Sequence, residues 1–490
     1  MDEWISLGAE GALTTRIHSR NLMMDPKMDF VKCIWQKYVA PEVCDVIGAL
    51  ARAAKAAHGR AFLVGGCVRD WILEQPANDL DLEVFGMAPE RLEAVLRRFG
   101  RFDAVGKAFG VYKMAGLPLD VSLPRRERKT GRGHRGFDVV PDPSLPLRAA
   151  AERRDFTINA ILLDPLTDVI EDPCGGLTDL RERRLRHTSA AFAEDPLRVL
   201  RGMQFVARFS LRPDPATVAL CRTIDAEGLA RERCFEEWRK LLLLGARPSA
   251  GLAFLRDTGW VAHTPELAAL IDCPQDPEWH PEGDAWDHTL HCLDAFAACR
   301  TGDAYEDIVV GLAVLCHDFG KPLTTAFTEG RWRSPGHESA GEAPTRSFLA
   351  RLTNQTALIE DVVKLVVAHM RPMALRSTEA GPAAIRRLAR DVGRLDRLLR
   401  VVEADGRGRP PLDEGDVAPW LRARAESLAV ERAAPKPLVR GRDLLPHGFE
   451  PGPALGQVLR RLFEEQLDGR IESREEGVAR ALQIKEEMSA

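Results

Sequence analysis

VGGCVRD at residues 64–70, followed by NDLDLEVFG at 78–86, is the stretch whose reading decides the fold. The apolar run AFLV before the glycines reads as a short buried strand that ends in a tight turn. At that turn Gly65 and Gly66 let the backbone approach a phosphate, and Arg69 supplies a charge that can pair with it. DLDLEVF alternates and reads as a second strand. Asp79 and Asp81 stand two apart on it, so both carboxylates leave the same face. Adjacent carboxylates repel unless a cation sits between them, and hard oxygen ligands select Mg²⁺. LPLDVSL at 117–123 reads as a third strand that can bring Asp120 to the same metals. Two metals on three carboxylates activate a hydroxyl and steady a leaving pyrophosphate. A DxD alone is usually a solvated edge pair; the Gly-Gly turn and the Arg upstream set this one apart.

Working outward, residues 41–58 carry Val43, Val46, Ile47 and Leu50 at helical spacing, and APERLEAVLRRFG is an amphipathic helix closed by Gly100. Strands and helices mix up to about residue 175. Beyond residue 190 strand signals almost vanish. DPLRVLRGMQFVARF, CFEEWRKLLLL, HTLHCLDAFAAC, EDIVVGLAVLCHDFG, LIEDVVKLVVAHM and PALGQVLRRLFEEQL all have helical periodicity. Proline-rich breaks at 274–281, 408–419 and 435–437 mark joints between helical modules. The first forty residues are weakly patterned, and Met23, Met24 or Met28 could each be the start. This is an α+β chain, a mixed head followed by a long helical body.

Length and composition agree. At roughly 150 residues per domain, 490 residues make about three domains. With 45% hydrophobic and 29% charged residues, disordered and collagen-like chains are excluded. No apolar run is long enough to span a membrane, and the start lacks a signal pattern. The ten cysteines form no CxxC pair, which suits reduced thiols in a cytoplasm. A net charge of −5 gives no global attraction for nucleic acid, so such binding needs a local basic patch.

Five motifs then occur in order: GGCVRD, DLD, RRDFTINA at 153–160, EDPLRVLR at 194–201 and ERCFEE at 232–237. Together they resemble the class II tRNA nucleotidyltransferases, the CCA-adding enzymes and their bacterial poly(A) polymerase relatives. The resemblance implies a polymerase-β-like nucleotidyltransferase head followed by helical neck, body and tail. Arg153 and Arg154 can engage a triphosphate, and Asp155 and Asn159 can order the sugar and metal site. Asp195 precedes Pro196 in the cap-and-first-turn arrangement, with Arg198 one turn on. The resemblance makes Asp195 and Arg198 a protein template that reads the Watson–Crick edge of CTP or ATP, and turns Arg201 to the triphosphate. Gln204 stands where some relatives carry a further arginine. RRERKTGRGHRG at 125–136, with Arg125, Arg126, Arg128 and Lys129, reads as a flexible basic loop; in the family that position serves addition of the terminal A. RERRLR at 181–186 is a second basic patch, equally readable as a solvated face.

A second constellation lies downstream: His288, the pair His317–Asp318, His337 and His369. His and Asp on separate helices can converge on a metal. The segment resembles the HD phosphohydrolase-type domain fused to some CCA-adding enzymes, with His288, His317 and Asp318 matching most closely. His280 and His291 read as bystanders, and a purely structural role for the segment stays open.

The expectation is an enzyme adding CMP and AMP from CTP and ATP to the tRNA 3′ end. Mg²⁺ would sit in the head, and Mn²⁺, Ni²⁺ or Mg²⁺ in the HD segment. The rivals are an A-adding, CC-adding or poly(A)-adding member, or an HD phosphohydrolase with a non-catalytic RNA-binding head. The expected division is an extension at 1–40, a head at 41–190, a neck and body at 191–272, an HD domain at 273–405 and a tail at 406–490.

Overall fold

The computed structural model describes residues 35–489 apart from 78, 105–109, 130–136, 413 and 414, with backbone alone at 127–129, 137–139 and 489. The alternative starts fall outside these residues. In chain order the head strands are β1 (Arg60–Val64), β2 (Leu80–Phe85), β3 (Phe102–Ala104), β4 (Val111–Met114), β5 (Leu119–Ser122), β6 (Arg125–Lys129), β7 (Phe137–Pro141), β8 (Leu162–Leu163) and β9 (Ile170–Glu171). Seven of them form one sheet in the order β3-β4-β5-β2-β1-β8-β9. β1 is buried at every residue after Arg60, as a central strand without alternation should be. It runs antiparallel to β2 and β8, whereas β2 and β5 run parallel with Asp81 opposite Asp120. The Pro41–Ala56 helix buries Val43, Ile47, Leu50, Ala51 and Ala54, and packs against β1 and β2.

β6 and β7 pair as a separate antiparallel hairpin, from Arg125 opposite Pro141 to Lys129 opposite Phe137. This corrects the reading of 125–129 as part of a flexible loop. The charged run is held by backbone pairing to FDVVP, which carries the strand-forming residues; only 130–136 lie outside the description. The side chains of Arg128 and Lys129 are likewise outside it.

The helical part follows the periodicity closely, with helices at Leu197–Phe209, Arg231–Leu244, Pro248–Asp257, Ala285–Ala298, Ala304–Cys316, Thr356–Ala368 and Leu395–Arg407. One hydrophobic cluster runs from Trp35 to Val430, and a small separate one holds residues between Val439 and Ile484. The latter is docked by ion pairs, Arg387 reaching Glu464 at 3.0 Å and Asp468 at 2.5 Å. Among the described residues no helix is long and apolar enough to cross a membrane.

Candidate active site

The Leu197–Phe209 helix buries Val199, Met203 and Val206 in the body. Arg198, Arg201, Phe205 and Arg208, spaced by three and four residues, share its other face and look toward the head sheet. Between them lies a cleft of about 1330 Å³, lined also by Gly65, Gly66, Arg69, Asp79, Asp81, Arg154 and Asp195. Ten Lys or Arg residues line it against seven Asp or Glu. A chain of net negative charge therefore carries its local cationic surface here.

The floor holds Asp79 and Asp81. Asp79 and Asp81 are exposed, and the parallel register sets Asp120 beside Asp81 on the same face. Lys113 approaches Asp120 at 3.3 Å. The Asp81 carboxyl is pushed up from its ordinary value, first by the protein ringing it and then by Asp120, Asp79 and Glu83, against the pull of Arg154. Mutual repulsion of this kind is what a bound dication relieves, so the donor set fits a hard divalent ion. Gly65 has φ +80°, and a Cβ there would come within 3.2 Å of Arg154 and 3.3 Å of Asp81. Glycine is needed both for the backbone angle and for the opening above Asp81. At Gly66 a Cβ would meet only Arg69, at 3.5 Å.

Behind the floor runs a buried polar chain. Arg69, 4% exposed, donates to Asp70 at 2.6 and 2.8 Å and to Asn159 Oδ1 at 2.5 Å. Its guanidinium lies over Phe205 and Phe209, 5.0 and 4.6 Å from the ring centres. Asn159 donates onward to Asp155 at 2.9 Å, and Arg201 Nε donates to the other Asp155 oxygen at 2.7 Å. Burial alone would raise the Asp155 carboxyl; Arg201 and the donors on Asn159 and the Phe156 N–H outweigh it and hold it at about 2. Arg201 is raised in turn, chiefly by Asp155. Arg153 and Arg154 are both tied to Glu83, at 2.6 and 3.2 Å. Glu83 is fully buried and stays low in spite of burial because of these two guanidiniums.

Asp195 accepts from the Leu197 N–H at 3.1 Å, the expected cap, and pairs with Arg233 at 2.9 Å. Arg198 donates to the backbone carbonyls of Ala191 and Arg153, at 2.8 and 2.7 Å, which fixes its place beside Asp195. Gln204 is buried and accepts from Arg208 at 3.3 Å. Arg125 lines the cleft, while Arg126 is paired with Asp142 at 2.6 Å.

The second constellation also converges. His288, His317, Asp318, His337 and His369 are all buried. His317 Nδ1, His337 Nδ1 and His369 Nδ1 face the carbonyls of Val314, Ser334 and Val366 at 2.8, 2.8 and 2.6 Å, which turns each Nε2 inward. His337 Nε2 and His369 Nε2 stand 3.2 Å apart, with Asp318 Oδ1 3.5 Å from His337 Nε2. Burial, then the neighbouring His317 and His337, push the His369 imidazole down to about 3. Two sets have ligand atoms all within 4.8 Å: Asp318, His337 and His369; and His288, Cys292, His317 and Asp405. A third set, His280, Glu282 and His288, shares Glu282 between two imidazoles at 2.9 and 2.8 Å, so His280 is less of a bystander than expected. His291 is exposed. Lys321 pairs with Asp318 at 2.7 Å. Gly320 permits the approach of the two segments, since a Cβ there would fall 1.9 Å from the His337 carbonyl oxygen.

Glu83, Arg233, Glu282 and Asp405 escaped the reading of the sequence. Glu83 shares the parity of Asp81 on β2 and was findable by that signal; Arg233 lies within the ERCFEE motif and Glu282 six residues before His288, while Asp405 is brought in from a distant segment and carries no local signal.

Residues 61–186 match the family model of the poly(A) polymerase head domain. The multifunctional CCA protein of Stenotrophomonas maltophilia is 38% identical over 422 residues, 82% of this chain and 97% of its own. That of Xylella fastidiosa is 38% identical over 425 residues, 81% and 95% of the two chains. Among solved structures, the Bacillus stearothermophilus CCA-adding enzyme in complex with CTP aligns with a TM-score of 0.62 at 24% identity, over 92% of this chain and 99% of that one. The Thermotoga maritima CCA-adding enzyme complexed with tRNA aligns at 0.57 and 18%, over 92% and 97%. These two likenesses establish the fold: a mixed-sheet head and a helical remainder. Over some four-fifths of its length and nearly the whole length of its relatives, this chain belongs to the multifunctional CCA protein family, with a head of the poly(A) polymerase type.

Proposed function

We propose that this enzyme is a tRNA nucleotidyltransferase that adds CMP and AMP from CTP and ATP to the tRNA 3′ end without a nucleic-acid template, releasing pyrophosphate. The observation that carries it is the Asp79 and Asp81 pair lining a cation-rich cleft, with Asp120 opposite Asp81 in the sheet, in a chain whose relatives are named for CCA. Asp79 and Asp81, with Asp120 beside them, would hold Mg²⁺. Bound there, Mg²⁺ supplies positive charge to the attacking 3′ hydroxyl and the departing pyrophosphate. Gly65 and Gly66 leave room for the triphosphate, and Arg69, Arg154 and Arg201 face it, each already oriented by an acidic or amide partner. Asp195 and Arg198 read the base edge: a carboxylate accepts from an amino group and a guanidinium donates to ring nitrogens and carbonyls. Arg125, Arg126, Arg128 and Lys129 serve as RNA contacts. We read residues 41–190 as the head, 191–272 as the neck and body, 273–405 as the HD domain and 406–490 as the tail, in a protein of the cytoplasm. Incubating the protein with tRNA ending at the discriminator base, after CC or after CCA, with CTP, ATP or both, tests the reading. Addition of CCA to the first substrate and A to the second is expected; addition of A alone, of CC alone, or of a long A tract assigns it to a rival.

A second activity is supported by the buried cluster of His288, His317, Asp318, His337 and His369, with the half-buried Asp405 beside it. Buried imidazoles whose Nδ1 atoms are engaged by backbone carbonyls present Nε2 as ligands, the arrangement that second-shell partners give metal-binding histidines. His317 Nε2 is buried and makes no hydrogen bond. The donor set fits a divalent ion, and we read the segment as an HD-type metal phosphohydrolase acting on phosphomonoesters or 2′,3′-cyclic phosphates. Loss of such hydrolysis in His317→Ala, with CCA addition intact, is the expected result.

A further inference from the structure

The chain between Asp318 and His337 contains a hairpin. Ala326–Thr328 pairs antiparallel with Arg331–Arg333 and sets Phe327 opposite Trp332. Glu329 and Gly330 turn it at φ +52° and +79°, the two positive angles of a tight two-residue turn. Residues directly opposite leave one face, and there the two rings meet edge to face, centres 5.2 Å apart at 67°. The pair is nevertheless open to solvent, Phe327 at 59% and Trp332 at 37%. Burial in a core does not account for two large rings on so short a hairpin.

This face is continuous with the second cluster. By the two-residue period, Thr325 lies on the side of Phe327 and Ser334 on that of Trp332. Thr325 Oγ1 donates to the Lys321 carbonyl at 2.7 Å and accepts from Ser334 Oγ at 2.7 Å. Lys321 Nζ pairs with Asp318 at 2.7 Å, and the Ser334 carbonyl accepts from His337 Nδ1 at 2.8 Å. The rings therefore stand one two-residue step, about 6.6 Å of strand, from groups tied to two members of the cluster. Arg331 and Arg333 against Glu329 leave the tip cationic, with Arg331 exposed beside Trp332.

We propose that Phe327 and Trp332 form a stacking platform for the 3′-terminal base of an RNA strand whose end phosphate is presented to the second cluster. The inference rests on the reading of that cluster as a phosphohydrolase. Every base has a π-face, so aromatic stacking accepts any terminal nucleotide, and Arg331 supplies a counter-charge for a neighbouring phosphate of the strand. Two rings fall far short of the roughly 800 Å² per partner that a stable protein interface buries, which favours a base over a folded protein.

Full-length protein irradiated with a short single-stranded RNA ending in 5-iodouridine should crosslink at Phe327 or Trp332, a readout that needs no hydrolysis. With Phe327→Ala and Trp332→Ala together, KM for an RNA ending in a 2′,3′-cyclic phosphate should rise about tenfold or more. KM for glycerol 1,2-cyclic phosphate, which has no base to stack, should not follow it. Phe327→Tyr with Trp332→Phe keeps both rings and should restore the RNA value, and unchanged CCA addition reports that the variants are folded. Crosslinks confined to the head, an unmoved KM for the RNA, or an equal rise for both esters would overturn the platform and leave the phosphohydrolase standing. A dimer in sedimentation that the double alanine variant dissolves would give the face to a second copy and overturn it too. A wild type that hydrolyses neither ester would overturn the phosphohydrolase, and a crosslink at the hairpin would then still support an RNA end on this face.

Discussion

Replacing Asp155 by Asn keeps the shape of the side chain and removes its charge, so it isolates what that charge does between Arg69 and Glu237. The folded protein holds this carboxyl at about 2 against an ordinary 3.8. A difference of a little under two pH units, at about 1.4 kcal/mol each, is worth about 2 kcal/mol of stability. Because the folded value lies below the unfolded one, that contribution is complete above about pH 4 and is lost as the pH falls toward 2. In Asp155→Asn, the ion pair left to Arg201 is the longer one to Glu237, at 4.0 Å. Urea unfolding followed by tryptophan fluorescence should show the variant less stable by about 2 kcal/mol at pH 7, with the same gap at pH 5 and a narrowing one below pH 4. The freed Arg201 should also raise KM for CTP and ATP alike, about tenfold for each 1.4 kcal/mol of lost orientation. A variant as stable as the parent at pH 7, or a gap that closes between pH 7 and pH 5, would refute the role given to this charge.

Asp79→Ala with Asp81→Ala should abolish nucleotide addition while tRNA binding, measured by gel shift, stays largely intact, because these groups do chemistry and not docking. Glu83→Gln removes the charge that holds two arginines and should cost about 1.5–3 kcal/mol in thermal or urea unfolding, with loss of triphosphate affinity; unchanged KM and stability would sink that assignment. Asp195→Ala with Arg198→Ala should let UTP and GTP compete with CTP and ATP, by the about 1–3 kcal/mol that one bidentate edge contact contributes. An unaltered nucleotide preference in incorporation assays would show that the base is read elsewhere.

What could be read from the sequence depended on the range of the interactions involved. Gly65 and Asp81 are set by local geometry, a left-handed turn and a strand position, and both stand where the motif placed them, whereas Asp79 lies one residue before β2 begins. The helices of the body were visible because their apolar stripes recur within a few residues. Strands β3, β8 and β9 run three residues or fewer, too short for any alternation to register, and only the sheet as a whole defines them. The basic run at 125–129 looked like a loop because its own residues are charged on both faces; its strand character resides in its partner at 137–141. Asp405 is harder still. It sits on a helix rich in arginine and leucine, and nothing within four residues of it marks a site; the fold alone carries it to His288.

The counter-charges hidden in this way do more than neutralise. Arg69 is held by Asp70 and Asn159, Arg153 and Arg154 by Glu83, Arg201 by Asp155, and Arg233 by Asp195. These five guanidiniums of the cleft wall are thus oriented before any nucleotide arrives. A guanidinium that must first be collected from solvent costs rotamer entropy of about 2 kcal/mol and reorganises during the reaction. One fixed by a buried acid does neither, which is how dipoles and charges stabilise developing negative charge most effectively. Glu83 extends the same logic to the metal floor. Two residues from Asp81 on the same face, it raises the energy of that carboxylate while anchoring Arg154 against it. The site is therefore balanced between a repulsion that favours a dication and an attraction that favours a triphosphate, and Asp81 and Glu83 on β2 take part in both.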